Sequence, residues 1–252
     1  MADAAILRTQ GLTRRFGGLV AVRDVSLECR MSEVHAVIGP NGAGKTTLIN
    51  LLSGDLEPTA GTVVLGDADI TGLASYRISK LGVGRSYQKT NVFLPFTAFE
   101  NCRLAAQSRL ASSMRFFRPA LTDREVNAAA ERALAAVGLE GRGSTPVAEL
   151  SHGEQRQVEI AMALATRPRL LLLDEPLAGM GAEESARIVA LLKGLAAEHA
   201  ILLVEHDMDA VFAVADVLTV MVSGMVLESG TPGQIRSSGA VQEAYLGSDD
   251  AE

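Results

Sequence analysis

The sequence predicts an α/β fold: a core with a mainly parallel sheet, an N-terminal part of strands and turns, and an inserted α-helical subdomain. Three observations carry that prediction. A glycine-rich loop, Gly39 to Thr47, joins a short apolar strand to a helix. Fully apolar strand-length runs alternate with helical stretches in the last third of the chain. Between these two parts, residues from about 97 to 166 read as mostly helical.

The first 35 residues read as strands and turns. Leu19 to Val22 is rich in β-formers, and Val25-Ser26-Leu27-Glu28-Cys29 alternates apolar with polar residues as one strand would. Val34 to Ile38 is a short apolar strand that runs straight into the glycine loop. Beyond the loop, Leu48, Leu51 and Leu52 form a helical stripe ending at Gly54. Thr62 to Leu65, just after Gly61, reads as a further strand.

In the helical block, Thr122-Asp123-Arg124-Glu125 is a capping box, so a helix is expected to start there. Val126, Ala130, Ala133, Leu134 and Val137 are its buried face, and Gly138 ends it. Ser151-His152-Gly153-Glu154 starts a second helix that runs to about Thr166. Arg167-Pro168 closes it, because the residue before proline disfavours helix. Leu170 to Leu173 is then an apolar strand, Ala182 to Ala197 a helix, and Ile201 to Val204 another buried strand. Val217 to Val222 is a strand, followed by a turn at Ser223-Gly224 and one more strand. Apolar strands alternating with helices imply a mainly parallel sheet covered on both faces. The whole chain, 1–252, reads as one domain with the block of about 97–166 inserted in its core.

Composition narrows the function. The 252 residues are 48% hydrophobic and 21% charged, which suits a soluble globular fold with a sizeable core. The net charge of −7 counts against a nucleic-acid surface, which needs a basic footprint. Cys29 and Cys102 form no CxxC pair and read as two reduced, buried thiols. Asp3 and Arg8 interrupt any apolar run at the start, so no signal peptide is expected. The greasiest stretch, Val211 to Leu227, contains Asp216 and the Ser223-Gly224 break. It falls short of the roughly 20 apolar residues of a membrane span, so the chain is not expected to cross a membrane by itself.

Gly39-Pro40-Asn41-Gly42-Ala43-Gly44-Lys45-Thr46 fits G-x-x-x-x-G-K-[ST] in full. Its glycines let the backbone curl so that consecutive N–H groups face phosphate oxygens, and the following helix adds the positive end of its dipole. Asn41 to Thr47 are therefore candidate nucleotide-binding residues, with Lys45 reaching the β- and γ-phosphates and the Thr46 hydroxyl reaching Mg²⁺. A phosphate loop needs a carboxylate from a neighbouring strand. Leu170-Leu171-Leu172-Leu173-Asp174-Glu175 supplies it at a strand's C-terminal end, where open α/β sheets bind ligands. Asp174 is the candidate metal ligand, and Glu175 the candidate group that polarises the attacking water. Gln88 could touch both metal and water through its amide, and His206 could reach the γ-phosphate.

The order of these motifs resembles the ATP-binding cassette (ABC) ATPases over almost the whole chain, which implies a P-loop NTPase core with an N-terminal antiparallel β-subdomain. The distinguishing element is Leu150-Ser151-His152-Gly153-Glu154-Gln155-Arg156-Gln157, similar to the family signature LSGGQ. The resemblance implies that Ser151, His152, Gly153 and Glu154 bind the ATP held by a facing subunit. Ser151-x-x-Glu154 is also an ordinary capping box, and both readings can hold together. His152 stands where the family has glycine and Glu154 where it has glutamine. The loop Leu177-Ala178-Gly179-Met180 lacks the family's usual aspartate. By resemblance, Phe16 is the aromatic that stacks on adenine, with Val22 beside it, and Gln88 and His206 join the hydrolytic site.

Within the family the likeness is to ATPase subunits of branched-chain amino acid importers. It rests on Arg15-Phe16-Gly17-Gly18-Leu19, Gly84-Arg85-Ser86-Tyr87-Gln88, Glu205-His206-Asp207-Met208 and Ala244-Tyr245-Leu246-Gly247. Urea or amide importers and a lipopolysaccharide-export ATPase are similar. The resemblance implies ATP and Mg²⁺ as cofactors and a second ATPase subunit, of the same or a related chain. It further implies transmembrane permease subunits, a solute-binding protein acting indirectly, and a place on the cytoplasmic face of the membrane. A non-transport ABC ATPase would be expected to carry two cassettes or a coiled-coil insert. A purely regulatory ATP-binding subunit would not need Glu175. Asn101 to Thr122 has four arginines and no acid, with Met114, Phe116 and Phe117 among them. It reads either as a patch for lipid headgroups or a membrane subunit, or as a solvated loop. Phe93, Phe96 and Phe99, just after Gln88, fall where the family receives a coupling helix of its membrane subunit.

Overall fold

The computed structural model describes residues 5–87, 91–110 and 123–246. The chain opens with β1 (Ala5–Phe16), β2 (Leu19–Val25) and β3 (Glu28–Arg30), then runs through β4 (Val34–Ile38) into α1 (Lys45–Ser53). β5 (Ala60–Leu65) and β6 (Ala68–Asp69) follow, then α2 (Ser75–Lys80) and β7 (Val83–Arg85). Next come α3 (Ala98–Gln107), α4 (Arg124–Ala136) and α5 (His152–Ala165). The last third carries β8 (Leu170–Asp174), α6 (Ala182–Ala196), β9 (Ala200–Val204), α7 (Met208–Val214), β10 (Val217–Val222) and β11 (Met225–Gly230). It closes with α8 (Pro232–Ser237) and α9 (Gly239–Leu246).

These strands form two sheets. One is antiparallel, with β1 between β2 and β5, β6 beyond β5, and β3 also on β1. The other has the order β11-β10-β4-β9-β8-β7 and is parallel from β10 to β7, with β11 antiparallel on its edge. All five residues of β4, β8 and β9 are buried, as expected of strands covered on both faces. Successive side chains feed two cores. Ala36, Leu171, Leu173, Ile201 and Leu203 pack towards the helices α3 to α7. Val37, Leu170, Leu172, Leu202 and Val204 pack towards α1 and the antiparallel sheet.

Two local expectations need correction. Val25 to Cys29 is not one strand: Val25 closes β2, and pairing resumes only at Glu28. The apolar alternation is real, since Val25, Leu27 and Cys29 are all buried. However, the chain changes partners at Ser26-Leu27, where the Thr9 hydroxyl donates to Val25 O (3.1 Å) and accepts from Leu27 N–H (3.0 Å). The cap of α4 is Asp123, whose carboxylate accepts from the N–H groups of Glu125 and Val126. The helix therefore starts one residue later than a cap at Thr122 implies; Thr122 itself lies outside the described residues. Cys29 and Cys102 are free and buried. Among the described residues no helix is long and apolar enough to cross a membrane.

Candidate nucleotide site

The loop after β4 is shaped by backbone that only glycine accepts. Gly44 has φ 98°, and a Cβ there would lie 2.3 Å from Ala21 O. Gly39 is as tightly placed, 2.1 Å from Met221 O by the same measure. The loop is also held from outside. Gly224 N–H donates to Ala43 O (3.0 Å), and Arg23 N–H donates to Gly224 O (2.8 Å). The Ser223-Gly224 turn, expected only to join two strands, therefore buttresses the phosphate loop.

A cavity of about 820 Å³ opens over this loop. It is lined by Asn41 through Thr47, by Phe16, Val20, Ala21 and Arg23, by Ser223 and Gly224, and by Glu175. Phe16 closes β1, is largely exposed, and has the Arg14 guanidinium 4.7 Å from its ring centroid. Val22 departs from expectation. It is fully buried in the core behind the cavity, while Val20, Ala21 and Arg23 of the same strand line the cavity. Its side chain lines no part of the cavity.

Lys45 is buried, and its ammonium donates to Gly39 O (2.6 Å) and Pro40 O (3.1 Å). Burial pulls its pKa below the ordinary lysine value, while Glu175 and Asp174 pull it back up. Asp174 ends β8 and is only 1% exposed. Burial raises its pKa, opposed chiefly by Arg85, whose Nη2 lies 3.8 Å away. Asp174 Oδ1 is buried and makes no hydrogen bond among the described residues. A divalent cation would satisfy such an oxygen. With the Thr46 hydroxyl at the head of α1, the donors present suit magnesium, which is held by one or two protein oxygens together with phosphate.

Glu175 follows with φ 48°, its N–H donating to Val204 O (2.9 Å). Its carboxylate is 4.0 Å from His206 Nδ1. His206 is mostly exposed and lies in the loop after β9. Glu205, which sequence reasoning passed over, is completely buried. Its carboxylate accepts from Leu177 N–H (2.8 Å) and His206 N–H (3.0 Å), so it joins the loop after Glu175 to the loop carrying His206. Burial raises its pKa. A charged residue directly after a wholly apolar strand was the available signal. Gln88 lies outside the described residues. The residue before it, Tyr87, has its ring stacked under Arg85 at 4.5 Å.

The structure does not bring Ser151 to Glu154 into this cavity. They form the start of α5, in a reciprocal capping box: Ser151 Oγ accepts from Glu154 N–H (3.2 Å), and Glu154 accepts from Ser151 N–H (2.9 Å). The Glu154 carboxylate is thus turned back onto the cap and also pairs with Arg142 (3.2 Å). Ser151 and His152 are exposed, while Gly153 is buried against Glu184.

Of the segment Asn101 to Thr122, residues Asn101 to Leu110 are described. Asn101 is fully buried, and its amide holds the backbone of Phe93, Phe96 and Thr97. Arg109 is tied to the last carbonyls of α2, at Ser79 O (3.0 Å) and Lys80 O (2.9 Å). Arg115, Arg118, Met114, Phe116 and Phe117 lie outside the described residues. Phe93 and Phe96 are exposed and stack on each other at 5.5 Å.

Residues 22–178 match the ABC transporter family. The chain is 41% identical to the high-affinity branched-chain amino acid transport ATP-binding protein BraF of Pseudomonas aeruginosa, over 96% of this chain and 98% of that one. It is 39% identical, with the same coverage, to the protein LivG of Escherichia coli, whose name gives the same role. Among solved structures, a nucleotide-free ATP-binding cassette from an ABC transporter superposes with a TM-score of 0.86, at 29% identity over 96% of this chain and 99% of that one. An ATP-binding cassette of an ABC transporter in its ADP conformation gives 0.84, at 28% identity over 97% and 99%.

Proposed function

This chain belongs to the ABC transporter family as an ATP-binding, ATP-hydrolysing cassette, and from that premise we propose that it powers import of branched-chain amino acids. The observation that carries the proposal is the match, over nearly full length, to ATP-binding proteins of branched-chain amino acid transport. The cavity over Gly39 to Thr47 supports the assignment of the nucleotide site.

In this reading Phe16 stacks on the adenine, and the N–H groups of Asn41 to Thr47 hold the phosphates. Lys45 leaves its loop carbonyls for the β- and γ-phosphates. Thr46, Asp174 and Gln88 would hold Mg²⁺, which when bound would neutralise developing charge on the phosphate oxygens. Glu175 orients and polarises the attacking water, and His206 faces the γ-phosphate from the next loop. Ser151 to Gly153 contact the nucleotide of a second ATPase subunit, while Glu154 stays on its cap and keeps its charge off that phosphate. The helices α3 to α5, in the block of about 97–166, act as one inserted subdomain. The exposed Phe93 and Phe96 meet a transmembrane permease at the cytoplasmic face. A solute-binding protein then delivers the substrate from the far side.

The test is to tag the chain in its own cells, purify what travels with it, and reconstitute the assembly in vesicles. The expected result is a permease pair and ATP-driven uptake of leucine. Uptake of a different solute class, or no permease partner, would overturn the proposal.

A further inference from the structure

One buried ion pair joins parts of the molecule that the nucleotide cavity leaves separate. Arg156 and Glu159 lie one turn apart in α5, each about 4% exposed, and pair with each other. Two buried charges are costly unless further hydrogen bonds satisfy them, and here three such bonds among the described residues go to backbone beside the proposed site. Arg156 Nη1 donates to Tyr87 O (2.7 Å), and Nη2 donates to Glu175 O (2.7 Å). Glu159 accepts from Tyr87 N–H (2.9 Å).

Both anchored residues are sensitive to position. Glu175 has φ 48°, a left-handed conformation that non-glycine residues hold only when their surroundings insist. Its N–H is fixed by β9, and its carbonyl accepts from both Arg156 and the N–H of Ala178 (3.2 Å), so the Arg156 side chain is the link from this backbone to α5. Tyr87 sets the start of the segment that carries Gln88. The clamp belongs to the helix whose first turn is Ser151 to Glu154. Arginine suits the task because its planar fork reaches two carbonyls and a carboxylate at once; lysine presents a single ammonium.

We propose that Arg156 is a positioning residue for ATP hydrolysis: it locks the backbone of Glu175 and Tyr87 to the signature helix. The hydrolytic carboxylate of one subunit then moves with the surface that touches the other subunit's nucleotide. The inference deepens the proposed function and rests on it.

Steady-state ATP hydrolysis, nucleotide affinity and melting temperature of the full chain test this, for the wild type, Arg156→Met and Arg156→Lys. Arg156→Met is expected to lower kcat on the order of 100-fold, the scale of an ångström-sized misplacement. KM and the Kd for ATP should stay near wild type, because the phosphate loop hangs on β4 and α1 instead. Arg156→Lys, which keeps the charge beside Glu159, should recover part of the loss. A merely structural role would lower the melting temperature while the folded fraction kept its kcat, and that result overturns the inference. If Arg156→Met does not fold, Arg156→Lys decides: wild-type kcat overturns the inference, and reduced kcat at unchanged KM supports it. An inactive wild type would instead count against the ATPase reading.

Discussion

Two helix starts in this chain are built in opposite ways. α1 starts after Gly44, which offers no side chain as a cap, and its first turn holds no acid. α5 starts after Ser151, with a complete capping box and Glu154 in its first turn. Every helix begins with N–H groups that lack intrahelical partners. At α1 they face the cavity, whereas at α5 the chain's own side chains take up part of them. The first start is prepared to bind an anion alone. The second is already partly satisfied and carries a carboxylate, so on our reading it contributes only when another subunit presents a nucleotide.

The largest test of this contrast is Lys45→Ala, which removes the only side-chain cation of the first start. Phosphate release should fall by at least about 100-fold, the scale of losing one preorganised charge contact to the transition state. ATP binding should weaken as well. Unchanged turnover would mean that the α1 loop is not the hydrolytic site.

Acid should strike the first start through its supporting strand. His35 in β4 is buried between Glu28 O (2.9 Å) and the Thr219 hydroxyl (2.7 Å). Burial brings its pKa down to about 4, against a partial upward pull from the Glu28 carbonyl. The stability that neutral His35 contributes is complete above pH 6.5, where both states are neutral. It is lost as pH falls from 6.5 towards 4, because the unfolded chain takes a proton that the folded chain refuses. The loss should reach about 3 kcal/mol. His35→Gln should flatten that part of a denaturation-versus-pH curve, and an unchanged slope would rule His35 out as its source.

The smallest effect belongs to the second start. Glu154→Ala removes half the capping box and the pair with Arg142, which is partly exposed. It should cost about 1 kcal/mol, or roughly 2–4 °C in Tm for a chain of this size. A much larger fall would mean that Glu154 is not simply a cap.

Much of the first start was legible because its chemistry is local: nine consecutive residues, a strand before them and a helix after. The strands β4, β8, β9 and β10 were legible for the same reason, since burial on both faces makes each a nearly continuous apolar run. What escaped depends on distant partners. Arg156 and Glu159 were given no role from the sequence, because their backbone partners at Tyr87 lie 69 and 72 residues away. Their place on the face shared with Gly153, Ile160 and Ala163 was the signal available. β1 was not resolved as a single strand, because Arg8, Gln10, Arg14 and Arg15 break the apolar pattern while its two halves pair with different neighbours. Val22 was placed on the nucleotide by resemblance, whereas its side chain is buried in the core beneath β2.

The central claim is that the two starts complete one site only across two subunits. Sedimentation of the Glu175→Gln variant, with and without saturating Mg-ATP, tests it most directly. With hydrolysis blocked and both helix starts intact, the account predicts a monomer without nucleotide and a stable dimer with it. A monomer at saturating ATP would contradict the claim.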